Sequence, residues 1–264
     1  MSLPKGYVDP EYLRTVGELF AKLKQRTYAC MKIQTGHKVL DVGCGPATDT
    51  IPLAQLVGST GEVWGVDYDE AMVAEANHLA ERAGVNARIK HKRAEASSLP
   101  FESEYFDSYR SERLFQHLLN PAQALSEMTR VTKTNGWIVV LDTDWGTTSI
   151  DTDEDDLERK LTRFLAEHAQ HDGFSGRKLY RLFKKQGLAD VTFEVFPIAV
   201  TSYTLARQIL TLDRMEQEVL AENIMTQDEL RRLLASFEQA DEQGVFFISA
   251  SIVLVAGRKT TGVN

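Results

Sequence analysis

The stretch Val39-Leu-Asp-Val-Gly-Cys-Gly-Pro-Ala-Thr48 runs from a short apolar segment into glycines. Glycine at 43 and 45 lets the backbone turn sharply and brings it against a ligand with no Cβ in the way. Such a turn holds a ligand rather than reacts with it, and Gly43 and Gly45 are its contact points, with Asp41 just before them. A dinucleotide fingerprint starting at Gly43 needs a third glycine where Thr48 stands, and a phosphate loop needs a Gly-Lys-Ser/Thr ending that is absent. A tight strand-to-helix turn with no ligand is the plain alternative. The second chemical signal is Asp67, which closes the apolar run Glu-Val-Trp-Gly-Val-Asp. An acid at about this distance beyond a glycine turn accepts hydrogen bonds from a ribose diol. Its alternative is to cap the following helix, a task for which Asp69 is better placed.

Groups that could move a proton or line a pocket lie further along. His117 has an ordinary pKa suited to proton transfer near neutrality. Its alternative is a helix-face histidine with a structural hydrogen bond. Asp142 and Asp144, in Leu-Asp-Thr-Asp-Trp145, could bind substrate or cap the next element. Phe115 and Trp145 could line an apolar acceptor pocket or belong to the core. His171 and Phe174 fall in a segment that could form a lid. Glu112 and Arg113 are adjacent charges whose partners the sequence does not assign.

The elements that position these residues alternate strand and helix from Lys38 to about Leu141. Strands are expected at 38–42, 62–67, 87–92, 106–110 and 136–141. A helix from Asp69 carries Met72, Val73, Ala76, Leu79, Ala80 and Ala83 at helical spacing, and Gly84 can stop it. Another is expected over 121–131. This alternation predicts a parallel sheet with helices on both faces. Before it, a helix is expected over about 10–33. After it, the acidic run 151–156 reads as a solvated helix start, a helix near 177–186 precedes a strand at 191–197, and two helices fill 203–242. The second opens on the capping box Thr226-Gln-Asp-Glu229. A long final strand covers 245–257. The ligand edge of such a sheet is at the carboxyl ends of its strands.

In this order, Asp41-Val-Gly-Cys-Gly-Pro resembles motif I of the class I S-adenosylmethionine (SAM)-dependent methyltransferases, with Ala47 where many members have glycine. Arg93-Ala-Glu-Ala-Ser-Ser-Leu-Pro-Phe101 is similar to the Asp-Ala-x-x-Leu-Pro-Phe segment of the quinone-biosynthesis type, with Glu95 in place of the aspartate. Phe106–His117, the following helix and Lys133-Thr-Asn-Gly136 resemble the family's fourth strand, its loop and the turn before the fifth strand. The resemblance implies a Rossmann-like α/β fold: a seven-stranded, mostly parallel sheet with helices on both faces, its last strand antiparallel, an N-terminal helix and a helical insertion before the last strand. It implies SAM as cofactor and S-adenosylhomocysteine (SAH) as product. SAM would be held by Asp41, Gly43, Gly45 and Asp67, by Tyr68 and Met72 flanking the adenine, by Ala94 and Glu95 at its edge, and by Ser111 near the methionine end. A cationic or polar residue of the N-terminal segment, Tyr7 or Arg26, would meet the SAM carboxylate. Phe115 and Trp145 would bind the acceptor, and His117 would be the base where one is needed.

The sequence has 264 residues, a net charge of −8 and a pI of about 5.4. That is enough chain for a sizeable core, and it reads as one domain: a cap over 1–36, a SAM-binding core over 37–142, and a remainder over 143–264 with the helical insertion at about 203–243. The acidic balance argues against a nucleic-acid partner. Cys30 and Cys44 form neither a metal-ligand spacing nor a disulfide framework. No metal site stands out, and no signal core or membrane span is visible. The expected protein is a cytoplasmic monomer or homodimer, bound to neither membrane nor nucleic acid. It would transfer a methyl group to a small-molecule acceptor. The alternatives are a tRNA, rRNA or protein methyltransferase, and a SAM-binding protein that no longer methylates.

Overall fold

The computed structural model describes residues 20–168 and 170–262. Its sheet has seven strands in the order β3-β2-β1-β4-β5-β7-β6. These are β1 (Lys38–Val42), β2 (Glu62–Asp67), β3 (Ile89–Arg93), β4 (Phe106–Glu112), β5 (Thr132–Ile150), β6 (Ala189–Val200) and β7 (Ile248–Arg258). Strand β1 pairs in parallel with β2 and β4, β2 with β3, and β4 with β5. The strand order reverses direction at β1 and β4. In an open α/β sheet that is where ligands bind, beyond the carboxyl ends of the strands.

Local chemistry sets the element ends. Helix α1 (Ala21–Cys30) precedes β1, and the expected helical stretch before residue 20 lies outside the described residues. Helix α2 (Thr50–Leu56) follows the glycine turn. Helix α3 (Glu70–Arg82) is capped by Asp69, whose carboxylate accepts from Ala71 N at 2.8 Å, and it ends before Gly84 at φ +68°. Helix α4 (Pro121–Val131) starts with proline at N1 behind an Asn120 cap.

The last third differs from expectation in two places. Strand β5 runs well past Leu141, where the continuation carries three threonines with Trp145 and Ile150, types that favour strands. The stretch expected to hold two helices holds three, namely α7 (Tyr203–Leu210), α8 (Leu212–Ala221) and α9 (Gln227–Glu242). Thr211, at φ +50°, breaks the first from the second. The capping box at Thr226 and Glu229 forms as expected. The acidic run leads into α5 (Asp155–His168), whose first turn holds Asp155, Asp156 and Glu158, the favourable sign for a helix N-terminus. Helix α6 (Ser175–Lys185) precedes β6.

The chain gathers into two compact units. Unit 1 comprises residues 1–142, 178–194 and 254–264, and unit 2 comprises 143–177 and 195–253. The core of unit 1 is built on strand residues such as Val39, Leu40, Val63, Val66, Tyr109 and Ile138, all fully buried. That of unit 2 is helical and aromatic, with Leu161, Phe164, Leu212, Met215, Leu233 and Phe237 among its buried members. Among the described residues no helix is long and apolar enough to cross a membrane.

Candidate functional site

The β1–α2 turn adopts the conformation that its glycines permit. Gly43 and Gly45 stand at φ +75° and +50°, a region open to glycine and costly for other residues. A Cβ at Gly43 would press on Leu114 at 3.2 Å, so a side chain there would be crowded as well as strained. Gly43 N and Cys44 N donate to Val66 O, at 2.8 and 3.0 Å, which ties the turn to β2. Ala47 takes φ +67°. The one departure from the glycine pattern therefore falls where a left-handed backbone asks for glycine.

Asp67 stands at the end of β2. One carboxylate oxygen accepts from Gly45 N at 2.9 Å and the other from Asp69 N at 3.0 Å. Burial raises its pKa above the usual carboxylate range, and the hydrogen bonds from Asp69 and Gly45 oppose that rise. Helix capping falls to Asp69, as expected, and the Asp67 carboxylate keeps acceptor capacity beyond the backbone amides that meet it. Ala94 N donates to Asp67 O at 2.9 Å, which sets the Ala94–Glu95 segment beside this carboxylate. Around it, Tyr68 is exposed, with the Arg93 guanidinium 5.6 Å from its ring centre. Met72 is buried on α3, and Glu95 is exposed and bridges to Ser98.

The far side of the turn rests on a buried charge cluster whose partners the sequence does not pair. Arg110, on β4, is fully buried, and its guanidinium meets Asp49 at 2.7 Å, Glu112 at 2.7 Å and Asp41 at 3.5 Å. From α1, Lys24 Nζ reaches Asp49 at 2.5 Å and Thr48 Oγ1 at 3.2 Å, and Tyr28 Oη donates to Asp49 at 2.5 Å. Burial alone would raise Asp49, but Arg110, Lys24 and the hydrogen bonds from Lys24 and Tyr28 outweigh it and hold its pKa below the usual range. Asp41 has only the longer contact with Arg110, and burial pushes it up to about 7. The one visible signal for the cluster is a charge, Arg110, inside an otherwise buried strand segment.

The remaining candidates fall as follows. Ser111 is buried, and its backbone pairs with Val140. Phe115 is a core residue at 1% exposure, in the 3-10 turn Phe115–His117. His117 is half-buried, with its Nε2 3.3 Å from Gln116 Nε2. Asp142 accepts from Gln116 N at 3.0 Å. Arg26 does not face the turn and instead pairs with Glu194 at 2.5 Å. Tyr7 lies outside the described residues. In unit 2, Asp144 is held by Arg177 at 2.6 Å, and Trp145 N donates to Gly173 O at 2.8 Å.

A family model described as a methyltransferase domain matches residues 33–235. The chain belongs to the methyltransferase domain family. An uncharacterized 37.1 kDa protein in a transposon of Streptomyces fradiae is 30% identical to this chain over 85% of its length and 63% of the relative. The demethylmenaquinone methyltransferase of Bacillus pumilus is 37% identical over 46% of the chain and 52% of the relative. The chain thus spans only about half to three-fifths of these relatives' length. Its fold is that of geranyl diphosphate C-methyltransferase from Streptomyces coelicolor, with a TM-score of 0.59 at 16% identity over 91% of this chain and 76% of that one. That structure was solved with S-adenosyl-L-homocysteine. The methyltransferase fold expected from the sequence is therefore present, and the glycine turn stands at the carboxyl end of its first strand. Its glycines are left-handed and Asp67 keeps acceptor capacity.

Proposed function

We propose that this chain transfers a methyl group from SAM to a small-molecule acceptor. The observation that carries the reading is the coupling of Asp67 to the glycine turn. One carboxylate fixes Gly45 and Asp69 by their amides and retains acceptor capacity for a ribose hydroxyl. In this reading Gly43, Gly45 and Asp67 hold SAM, Tyr68 and Met72 flank the adenine, Ala94 and Glu95 line its edge, and Ser111 lies near the methionine end. Asp41 acts from behind the turn, through Arg110.

Bound SAM supplies an activated methyl on a sulfonium whose leaving group is a neutral thioether. The chain's work is to orient the acceptor and exclude water. His117 is the residue we assign to take a proton where the acceptor must lose one. Two comparisons support a small-molecule acceptor, because the named relative acts on demethylmenaquinone and the named fold neighbour on geranyl diphosphate. The acidic balance of the chain supports it too.

The test is a thermal-shift titration with SAM and SAH, with NAD and ATP as controls. Ligand at about 100 times its Kd stabilises by roughly 2.7 kcal/mol, which raises the midpoint by a few degrees. A shift with SAM and SAH alone is expected. No shift with either, on protein stripped of copurified cofactor, would leave the turn as a bare strand–helix connection.

A further inference from the structure

Unit 2 contains a hollow of about 400 Å³ that the donor site does not use. Its floor is the far half of β5, with Trp145, Gly146 and Thr148, and its wall is α5, with Arg159, Arg163 and Glu167 at the rim. The volume falls in the range of small-molecule pockets. Strand alternation puts Asp144, Gly146 and Thr148 on one face of β5. The bare backbone at Gly146 makes room for the ring of Phe174, since a Cβ there would lie 2.5 Å from Phe174 Cε1. The Arg177 guanidinium covers that ring at 5.1 Å, while its Nε donates to Asp144 Oδ2 at 2.6 Å. The aromatic side of the hollow is thus clamped in place by its own neighbours.

Two oxygens here lack what buried oxygens normally have. Thr148 Oγ1 and Asp144 Oδ1 are buried and have no hydrogen-bond partner among the described residues. Thr148 lines the hollow. A buried hydroxyl left unpaired is costly, and a ligand group that pairs with it removes the cost. The charge at the rim is also unbalanced. Arg163 is paired with Glu167 at 2.9 Å. Among the described residues Arg159 pairs only with Glu158 at 3.5 Å, and that carboxylate already accepts from Ile150 N at 2.9 Å. Arg159 is therefore the rim cation with capacity for an anion.

We propose that this hollow binds a planar aromatic acid that carries a ring hydroxyl. The ring lies against Phe174, the hydroxyl pairs with Thr148 Oγ1, and the carboxylate meets Arg159. Binding is measured without SAM, so its failure and a failure to bind SAM read out separately.

The experiment is calorimetric titration of the full chain with 4-hydroxybenzoate and 6-hydroxy-2-naphthoate, repeated with the uncharged carboxamide of each. Saturable one-to-one binding of at least one acid is expected, with the carboxamide weaker. Thr148→Val, which keeps shape and removes the hydroxyl, should weaken the acid about tenfold. Arg159→Ala should abolish the preference for acid over carboxamide. Absence of saturable binding for both acids would overturn the proposal. So would wild-type affinity in Thr148→Val, or equal affinity of acid and carboxamide for the wild type. If Thr148→Val does not fold, the acid–carboxamide comparison on the wild-type chain and on Arg159→Ala decides.

Discussion

Where unit 1 buries Arg110 among Asp41, Asp49 and Glu112, unit 2 buries Tyr203, Phe237 and Phe246 against one another, with ring centres 5.3–6.0 Å apart. The two solutions have different physics. Ion pairs in a dry interior lose much of their attraction to desolvation, but they are intolerant of displacement. Packed rings stabilise through area and accept a change of shape at modest cost. The charged solution appears behind the glycine turn, where α1, β1, the turn and β4 must meet in one arrangement. The aromatic one appears in a helical core that has no such demand in unit 1's terms of fixed backbone geometry.

The sharpest way to break this comparison is Arg110→Met. It leaves three carboxylates buried around an apolar chain, and removal of one partner from a buried pair costs about 3–5 kcal/mol. A urea melt should show a loss of that size, and a loss under about 1 kcal/mol would mean that the cluster is not buried as described. The next test is pH. An unfolded aspartate titrates near 3.9, and folded Asp41 near 7. The folded state keeps a proton that the unfolded chain has lost, so this group makes stability fall as pH rises from about 4 to about 7, with no further change above that. Asp49 has the opposite sign, because its lowered pKa gives stability that is lost as pH falls below about 4. Asp41→Asn should therefore be flatter than the wild type between pH 5 and 7 in urea midpoints, and parallel curves would show that Asp41 is ionised throughout.

Two smaller effects sharpen the contrast from the other side. Phe237→Leu should cost unit 2 about 1–1.5 kcal/mol, as a volume-reducing but apolar change in a packed core. A loss equal to that of Arg110→Met would erase the distinction between the two cores. Ala47→Gly relieves a left-handed backbone and should gain up to about 1 kcal/mol, read as a small rise in melting temperature. A loss would show that the methyl of this fully buried alanine outweighs the strain.

Much of unit 1 was legible because its signals are local. Asp69 as cap, Gly84 as stop, the alternation of elements and the glycine turn each depend on neighbours in sequence. The charge cluster was not, because its members are scattered from Lys24 to Glu112 and are brought together only by the sheet. Arg26 was the more visible cation on α1, yet the helix turns it toward Glu194 and turns Lys24 toward the glycine turn. The sequence leaves Asp67 free of capping, whereas its carboxylate also fastens Gly45 and Asp69. Asp67→Ala would therefore free both the Gly45 and the Asp69 amide, and Asp67→Asn would still remove the acceptor of one of them. In unit 2 the break at Thr211 was hidden, because threonine carries no mark of a left-handed residue as glycine does.

Residues 254–264 close a strand and return the chain to unit 1. Lys259 is buried there, and its ammonium donates to Thr132 O at 3.0 Å, while Asn135 N donates to Lys259 O at 2.9 Å. On the ribosome, where a chain emerges N-terminus first, every residue of unit 2 has been made before these contacts can form. Unit 1 is interrupted by unit 2 and closes only after it. Its nascent sheet must wait, with its strand edge open, through the synthesis of the entire helical insertion, which makes that interval the one in which a chaperone would matter most.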